Sequence, residues 1–300
     1  MERAEIHTEG PNLLVGPPRV NETRRFLKVL FGRWVVVFGF VIVIAFLLTT
    51  AFAPWLAPYN PYQENYDALL QQPSAHHLLG TDTLGRDILS RIIYGARTTL
   101  MVGVIALGIA AIFGMIIGLV AGYFGGITYS IIMRIIDALM AFPMILLALV
   151  IAALLGGGLK NVMIAIGISL IPGYARLMCG QVLSVKTNDY ILAEKSIGAG
   201  HLRVMLRHVF PNCLPPLIVM ITLMMGSTIL AEAGLSYLGI GIQAPTAAWG
   251  GMISDGYTRL LTNPILSVAP GVAIMLVVFA FNMVGDGLRD ALDPRLRGTL

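Results

Sequence analysis

The sequence predicts an all-α polytopic membrane protein with six transmembrane helices. Three observations carry that prediction. Of the 300 residues, 57% are hydrophobic and only 12% are charged, about half the charge of an ordinary soluble domain; the mean hydropathy is +0.81. Six apolar runs each approach the ~20 residues that a helix needs to cross a ~30 Å hydrocarbon core. The runs are too long and too uniformly apolar for barrel strands, which would alternate. The 33 glycines and 15 methionines suit membrane helices, where small residues let backbones approach.

Residues 1–33 are polar and end in the basic cluster Arg24, Arg25, Lys28 and Arg33. The first apolar run extends from Trp34 to about Pro54. Basic residues, an apolar stretch and then Ala51-Phe52-Ala53 also fit a secretory signal with its cleavage site. The long leader and the length of the run favour an uncleaved anchor. A segment rich in Pro, Asn, Gln and His follows from Ala57 to about Tyr94, and no part of it is long enough to span. Five further runs come next, at about Thr98–Ala121, Ile131–Leu155, Val162–Cys179, Leu214–Leu235 and Ile265–Val284. The run at Val162–Cys179 is the weakest, and Pro172-Gly173 should kink it. The two cysteines, Cys179 and Cys213, flank apolar runs and read as small buried hydrophobes rather than a disulfide framework or a zinc site.

Six crossings place both termini on one side, and the positive-inside rule chooses that side. Fourteen of the 20 Lys and Arg residues fall in 1–33, 176–208 and 287–300, and Arg134 joins them. Only Arg86, Arg91, Arg97, Lys160 and Arg259 fall on the other side. Both termini are therefore expected in the cytoplasm, with the stretch from Asn188 to Asn212. The pI near 9.2 follows from this topology, and no nucleic-acid partner is needed to explain it.

That stretch is a polar, basic insert between two spans. It reads as two short helices. Asn188 and Asp189 are candidate caps for the first, and Gly198 and Gly200 would end it. Tyr190, Ala193 and Ile197 form a narrow stripe on it. The second helix is expected from about His201 to Phe210, stopping at Pro211. There Leu202, Met205, Leu206 and Val209 form an apolar stripe at i, i+3, i+4 and i+7, with Arg203 and Arg207 on a basic face. Such an element can lie on lipid, pack on its own bundle or dock in a groove of another protein.

Asp189-Tyr190-Ile191-Leu192-Ala193, Gly198-Ala199 and His208-Val209-Phe210-Pro211-Asn212 together resemble the EAA loop of ABC importer permeases. That family's pattern is E-A-A, three residues, G, nine residues, I-x-L-P. Ala193 matches the middle Ala, Gly198 the Gly and Pro211 the Pro. Leu192, Glu194, His208 and Phe210 depart from it. Gly80-Thr81-Asp82-Thr83-Leu84-Gly85-Arg86-Asp87, Ser90-Arg91 and Tyr94-Gly95-Ala96-Arg97 are similar to the GTDxxGRDxxSR signature. It belongs to the second permease subunit of dipeptide, oligopeptide and nickel importers. Further similar blocks are Ala121–Gly126, Met133–Asp137, Leu235–Gly239 and Gly285–Pro294.

The resemblance implies a type I ABC importer transmembrane fold. Its divisions here would be a cytoplasmic segment at 1–33, a first transmembrane helix at 34–56 and an extracytoplasmic segment at 57–95. A five-helix core at 96–288, holding a cytoplasmic loop at 181–211, and a tail at 289–300 would follow. It also implies a homologous permease partner, two ATP-binding subunits, an extracytoplasmic binding protein and a prokaryotic inner-membrane location, with surrounding lipid. ATP and Mg would sit on the partner subunits, and no cofactor on this chain. Asp189, Tyr190, Ala193, Glu194, Gly198, Ala199, His201, Arg203 and Arg207 would couple to the ATPases through a short coupling helix.

Other charged groups carry less. Gly80, Thr81, Asp82, Gly85, Arg86 and Asp87 would pair, cap the next helix or meet the binding protein. Arg134 and Asp137, at i and i+3, form a candidate structural or gating pair. Glu232 should face the outer mouth or the bundle, as a solvated or capped carboxylate before a pathway group. His201 with His208, and His76 with His77, are poor metal sites. No nucleophile–base constellation argues for a membrane enzyme, and no Walker motif makes the chain its own motor. A self-contained carrier or channel is the alternative, since six spans would suffice for one.

Overall fold

In the computed structural model, residues 22–292 are described. The leader through residue 21 and the tail from 293, with Asp293, Pro294, Arg295 and Arg297, lie outside them. The helices in order are α1 (Glu22–Leu30), α2 (Trp34–Ala51), α3 (Ala53–Leu56), α4 (Ile88–Phe124), α5 (Gly126–Met140), α6 (Met144–Leu155), α7 (Leu159–Val185), α8 (Asp189–Ser196), α9 (His201–Arg203), α10 (Phe210–Tyr237), α11 (Trp249–Tyr257) and α12 (Ile265–Leu292). A π-helical turn at Val204–Val209 joins α9 to α10, so that His201–Tyr237 forms one rod.

Among the described residues, five helices are long and apolar enough to cross a membrane: α2, α4, α7, the 201–237 rod and α12. The remaining expected span, at about Ile131–Leu155, is not a continuous helix. It breaks into α5 and α6, bent by 89°, at Ala141-Phe142-Pro143. Pro143 brings no N–H and disfavours helical backbone at Phe142. By contrast, α7 runs through Pro172, and α10 through Pro215 and Pro216. The expected stop at Pro211 is likewise overturned. The proline lies in the first turn of α10. The wider π turn before it relieves the clash that its ring would make with the carbonyl four residues earlier.

The core is a seam between α4 and α7. Gly114, Gly118 and Gly122, four residues apart, lie on one face of α4. A Cβ at Gly114 would fall 2.4 Å from the Tyr174 Cβ, at Gly118 2.3 Å from the Ala175 carbonyl oxygen, and at Gly122 2.8 Å from the Val182 Cβ. Only glycine admits that approach, the small-xxx-small packing of membrane helices. Tyr174, Ala175, Met178 and Val182 are fully buried along it. The pair Cys179 and Cys213 is free and buried.

The short helix α11 was hidden in the sequence inside a Gly- and Pro-bearing loop. It wedges the buried Trp249 against α4, where the indole Nε1 donates to the Ile92 carbonyl at 3.0 Å. Phe46 of α2 meets Trp249 and Phe281 of α12, at ring distances of 6.0 and 6.2 Å, which ties the first span to the bundle.

The seam gives a direct test. Gly118→Leu should lower unfolding stability in detergent by at least ~1–3 kcal/mol through overpacking. Gly108→Leu, on the same helix with open space around its Cα, should lower it little. Equal unfolding midpoints for the two variants would contradict the seam.

Candidate functional site

Two clusters stand at opposite ends of α4: an elbow beside its C-terminus and a charged hub around its N-terminus.

The elbow is built from α8, the turn at Ile197–Gly200 and the start of the 201–237 rod. Asn188 is the N-cap residue of α8, although its side chain makes no capping bond. Gly198 adopts φ +83°, the left-handed conformation that ends a helix at little cost only for glycine. The Gly198 and Ala199 amides donate to the carbonyls of Lys195 and Glu194 at 3.0 and 3.1 Å. Gly200, expected to help end α8, instead begins the next helix in extended conformation.

The elbow has an inner and an outer side. Ile191 is fully buried and pins α8 to the body. Tyr190, Ala193 and Ile197 are exposed, Ile197 at 80%, and Leu192 beside them at 50%. The expected stripe Leu202, Met205, Leu206, Val209 does not form. Met205 and Val209 are buried, while Leu202 and Leu206 are 68% and 53% exposed. The π turn rotates the register that a 3.6-residue period assumes. Arg203 and Arg207 are exposed. The outer side therefore presents Tyr190, Leu192, Ile197, Leu202 and Leu206, bordered by Asp189, Arg203 and Arg207.

Two of the expected coupling residues touch side chains of the body, His201 while exposed and Glu194 while half-buried. His201 Nδ1 lies 3.1 Å from the Tyr123 hydroxyl. Glu194 lies 3.6 Å from His208 Nε2. Neither contact was legible, because each joins residues whose relation depends on the π turn or on the end of α4.

At the other end, the Gly80–Arg97 segment folds on itself. Asp82 is its centre. Oδ1 accepts from the amides of Leu84 and Arg86, both at 2.9 Å. Oδ2 pairs with Arg86 Nε at 2.7 Å and Arg91 Nε at 3.5 Å. Both guanidinium groups are almost fully buried, and Arg91 also donates to the Pro61 carbonyl. Asp87 caps α4, its Oδ2 accepting from the Ser90 amide at 2.8 Å, while Oδ1 meets His77 Nδ1 at 2.9 Å. Thr81 donates to the Ala68 carbonyl and accepts from the Gln71 amide. Gly80 and Gly85 have positive φ. A Cβ on Gly85 would fall 1.8 Å from the Asn65 carbonyl oxygen, so the motif's second glycine is a close-approach residue. Asp255 of α11 stands by this cluster. Desolvation raises its carboxyl above its ordinary value, against the lowering pull of Arg91 and Arg86. His76 contributes only its carbonyl, to the Tyr59 hydroxyl.

The expected pair of Arg134 with Asp137 is not made. Asp137 pairs with Arg176 of α7 instead. Both α5 positions are exposed, and α5 packs along α7, so Arg176 reaches the carboxylate from the neighbouring helix. Glu232 is not solvated. It is 1% exposed inside the bundle, where Oε1 accepts from the Ser236 hydroxyl at 2.8 Å. That hydroxyl oxygen accepts in turn from the Ile242 amide at 3.0 Å. Between α7, α10 and α12, near the elbow, an open groove of about 680 Å³ is lined by Gln181, Asn212, Pro216, Met220, Leu223 and Arg289, among others. Among the described residues, no three His, Cys, Asp or Glu side chains gather as a metal site.

Comparison with known families matches residues 114–298 to the binding-protein-dependent transport system inner membrane component. The chain belongs to that family. Residues 22–73 match the N-terminal transmembrane domain of oligopeptide transport permease C. A dipeptide transport system permease protein, DppC, of Alkalihalophilus pseudofirmus is 44% identical over 93% of this chain and 91% of the relative. A di/tripeptide permease DppC of Pseudomonas aeruginosa is 44% identical over 86% and 88%. A glutathione transport system permease protein, GsiD, of Escherichia coli is 44% identical over 85% of each. The permease is thus a multi-pass, membrane-spanning transport subunit of an ABC importer with the type I transmembrane fold, and not a secondary carrier.

The hub yields a graded prediction. Asp82→Ala leaves two buried guanidinium groups without their carboxylate and should cost the permease about 3–5 kcal/mol. Asp67→Ala, at an exposed site nearby, should stay within about 0.5 kcal/mol. Thermal unfolding in detergent reads both.

Proposed function

We propose that this permease pairs with a homologous permease to form the translocation pathway for peptides or a related small solute. An extracytoplasmic binding protein would deliver the solute at the hub end, and two ATP-binding subunits would seat on the elbow. The relatives' printed substrates, dipeptides, di/tripeptides and glutathione, support a peptide-like cargo. The distribution of Lys and Arg supports a cytoplasmic elbow and cytoplasmic termini. ATP and Mg belong to the ATP-binding subunits.

One observation carries the coupling role. The elbow's apolar face is held outward by the buried Ile191 on one side and the left-handed Gly198 on the other. A surface fixed in that way loses little side-chain and backbone freedom when a groove closes over it. Tyr190, Ala193, Ala199, Arg203 and Arg207 are the contact residues of this reading, with Asp189 at the start of α8. Glu194 and His201 brace the elbow through His208 and Tyr123. When ATP binding draws the two ATP-binding subunits together, the gripped elbows move with them. This shifts the permease between inward- and outward-open states only if the subunits bind those states with unequal free energy.

Ala193→Arg adds bulk and charge to the contact face, and Gly198→Pro abolishes the left-handed turn. Each should reduce co-purification of the ATP-binding subunits at least tenfold, the equivalent of about 1.4 kcal/mol, with normal membrane insertion. Unchanged assembly in both variants, or solute uptake by the reconstituted permeases without ATP-binding subunits, would overturn the proposal.

A further inference from the structure

The elbow grows out of α7 and runs into α10, yet its side chains are tied to a third helix. The last turn of α4 receives contacts from it and from the α7 end that leads into it. Lys186 Nζ donates to the Gly122 carbonyl at 2.7 Å. The His201 ring stands edge-on to Tyr123, with centroids 5.8 Å apart and planes at 81°, and its Nδ1 meets the Tyr123 hydroxyl at 3.1 Å. Lys195 Nζ lies 5.4 Å from the centre of the Tyr123 ring, within the range of a cation–π interaction. Tyr123 itself is 8% exposed, held edge-to-face against Phe124. One aromatic ring therefore receives a residue from each arm of the elbow: Lys195 from α8 and His201 from the arm after the Gly198 turn.

The helix that carries this ring is suited to transmit a displacement. α4 is unbroken over 37 residues, about 55 Å at 1.5 Å per residue, and contains no proline. Its far end is fixed in the hub by the Asp87 cap and the buried Arg91. From Gly114 to Gly122 the glycine seam locks it to α7, so that part of the two helices cannot slide independently without clashes.

We propose that Tyr123 is a positioning residue that seats the elbow on the end of α4, so that α4 carries elbow displacement to the charged hub at the opposite end. The inference rests on the reading of the elbow as the seat of the ATP-binding subunits. It adds a defined route by which occupancy of the binding-protein side and ATP hydrolysis affect each other. A ligand at either end then shifts the same two-state element, and the coupling is reciprocal.

The test uses the assembled, reconstituted complex and reads the ratio of ATP hydrolysis with and without its solute-loaded binding protein. Tyr123→Ala should lower that ratio at least about fivefold, the lower end of ordinary coupling factors, while the ATP-binding subunits still co-purify. Tyr123→Phe keeps the ring for Lys195 and should retain more of the ratio than Tyr123→Ala. A second pair, Tyr123→Cys with His201→Cys, is bridged by a short, reductant-cleavable bifunctional thiol reagent. Bridging should restore the ratio, and any assembly lost in the variant, and cleavage should abolish both. An unchanged ratio in Tyr123→Ala overturns the inference. So does a bridge that blocks transport until cleaved, because the elbow would then move relative to α4, and so does a bridge that restores neither ratio nor assembly. A wild-type chain that never captures ATP-binding subunits overturns the proposed function instead.

Discussion

Where Gly114, Gly118 and Gly122 meet Tyr174, Ala175 and Val182, no side chain fits on the α4 face. In lipid, apolar burial gives helices little reason to associate, since the tails are as apolar as leucine. Close backbone approach and dispersion must supply the attraction. The seam supplies both over three successive turns. It fixes α4 and α7 as one unit, and the other spans are arranged around that unit. The 201–237 rod and α12 pack beside it, and α2 is fastened from outside through Phe46.

The two chemically distinctive ends of the permease follow from this unit. α4 begins at the Asp87 cap inside a cluster of buried charges in which Arg86 and Arg91 share the Asp82 carboxylate. Burying guanidinium groups is tolerable only where carboxylates and carbonyls answer them, as Asp82 and Pro61 do here. At the other end, α7 runs out into an elbow whose sharp turn depends on a left-handed glycine. One end is thus stiff and internally satisfied. The other offers exposed apolar residues among charges, with nothing among the described residues to cover them.

Much of the fold was legible in the sequence because membrane spans obey a single strong rule: the backbone must satisfy itself across the hydrocarbon. All six apolar runs correspond to helical segments, and the insert's polarity and its Gly198 turn were readable from residue type alone. What escaped the reading depends on tertiary contact or on departures from the ideal helical period. Pro143 broke one run whereas Pro172 did not break another, since a proline's effect depends on whether neighbours accommodate the lost hydrogen bond. The π turn at Val204–Val209 invalidated a stripe that ideal periodicity had assembled. Asp137 found Arg176 on another helix rather than the nearer Arg134, because spacing reports proximity only within one helix. The glycines of the seam were visible only as abundance. Their four-residue spacing at 114, 118 and 122 was the unread pointer to it.

Coupling requires that a nucleotide-driven partner cover the elbow of this permease. Hydrogen–deuterium exchange of the purified permease, with and without its ATP-binding subunits, measures that most directly. Slower amide exchange across residues 189–203 on adding the subunits, by more than any change across the hub at 81–91, is the predicted result. Unaltered exchange at 189–203 in a complex shown to be assembled would contradict it.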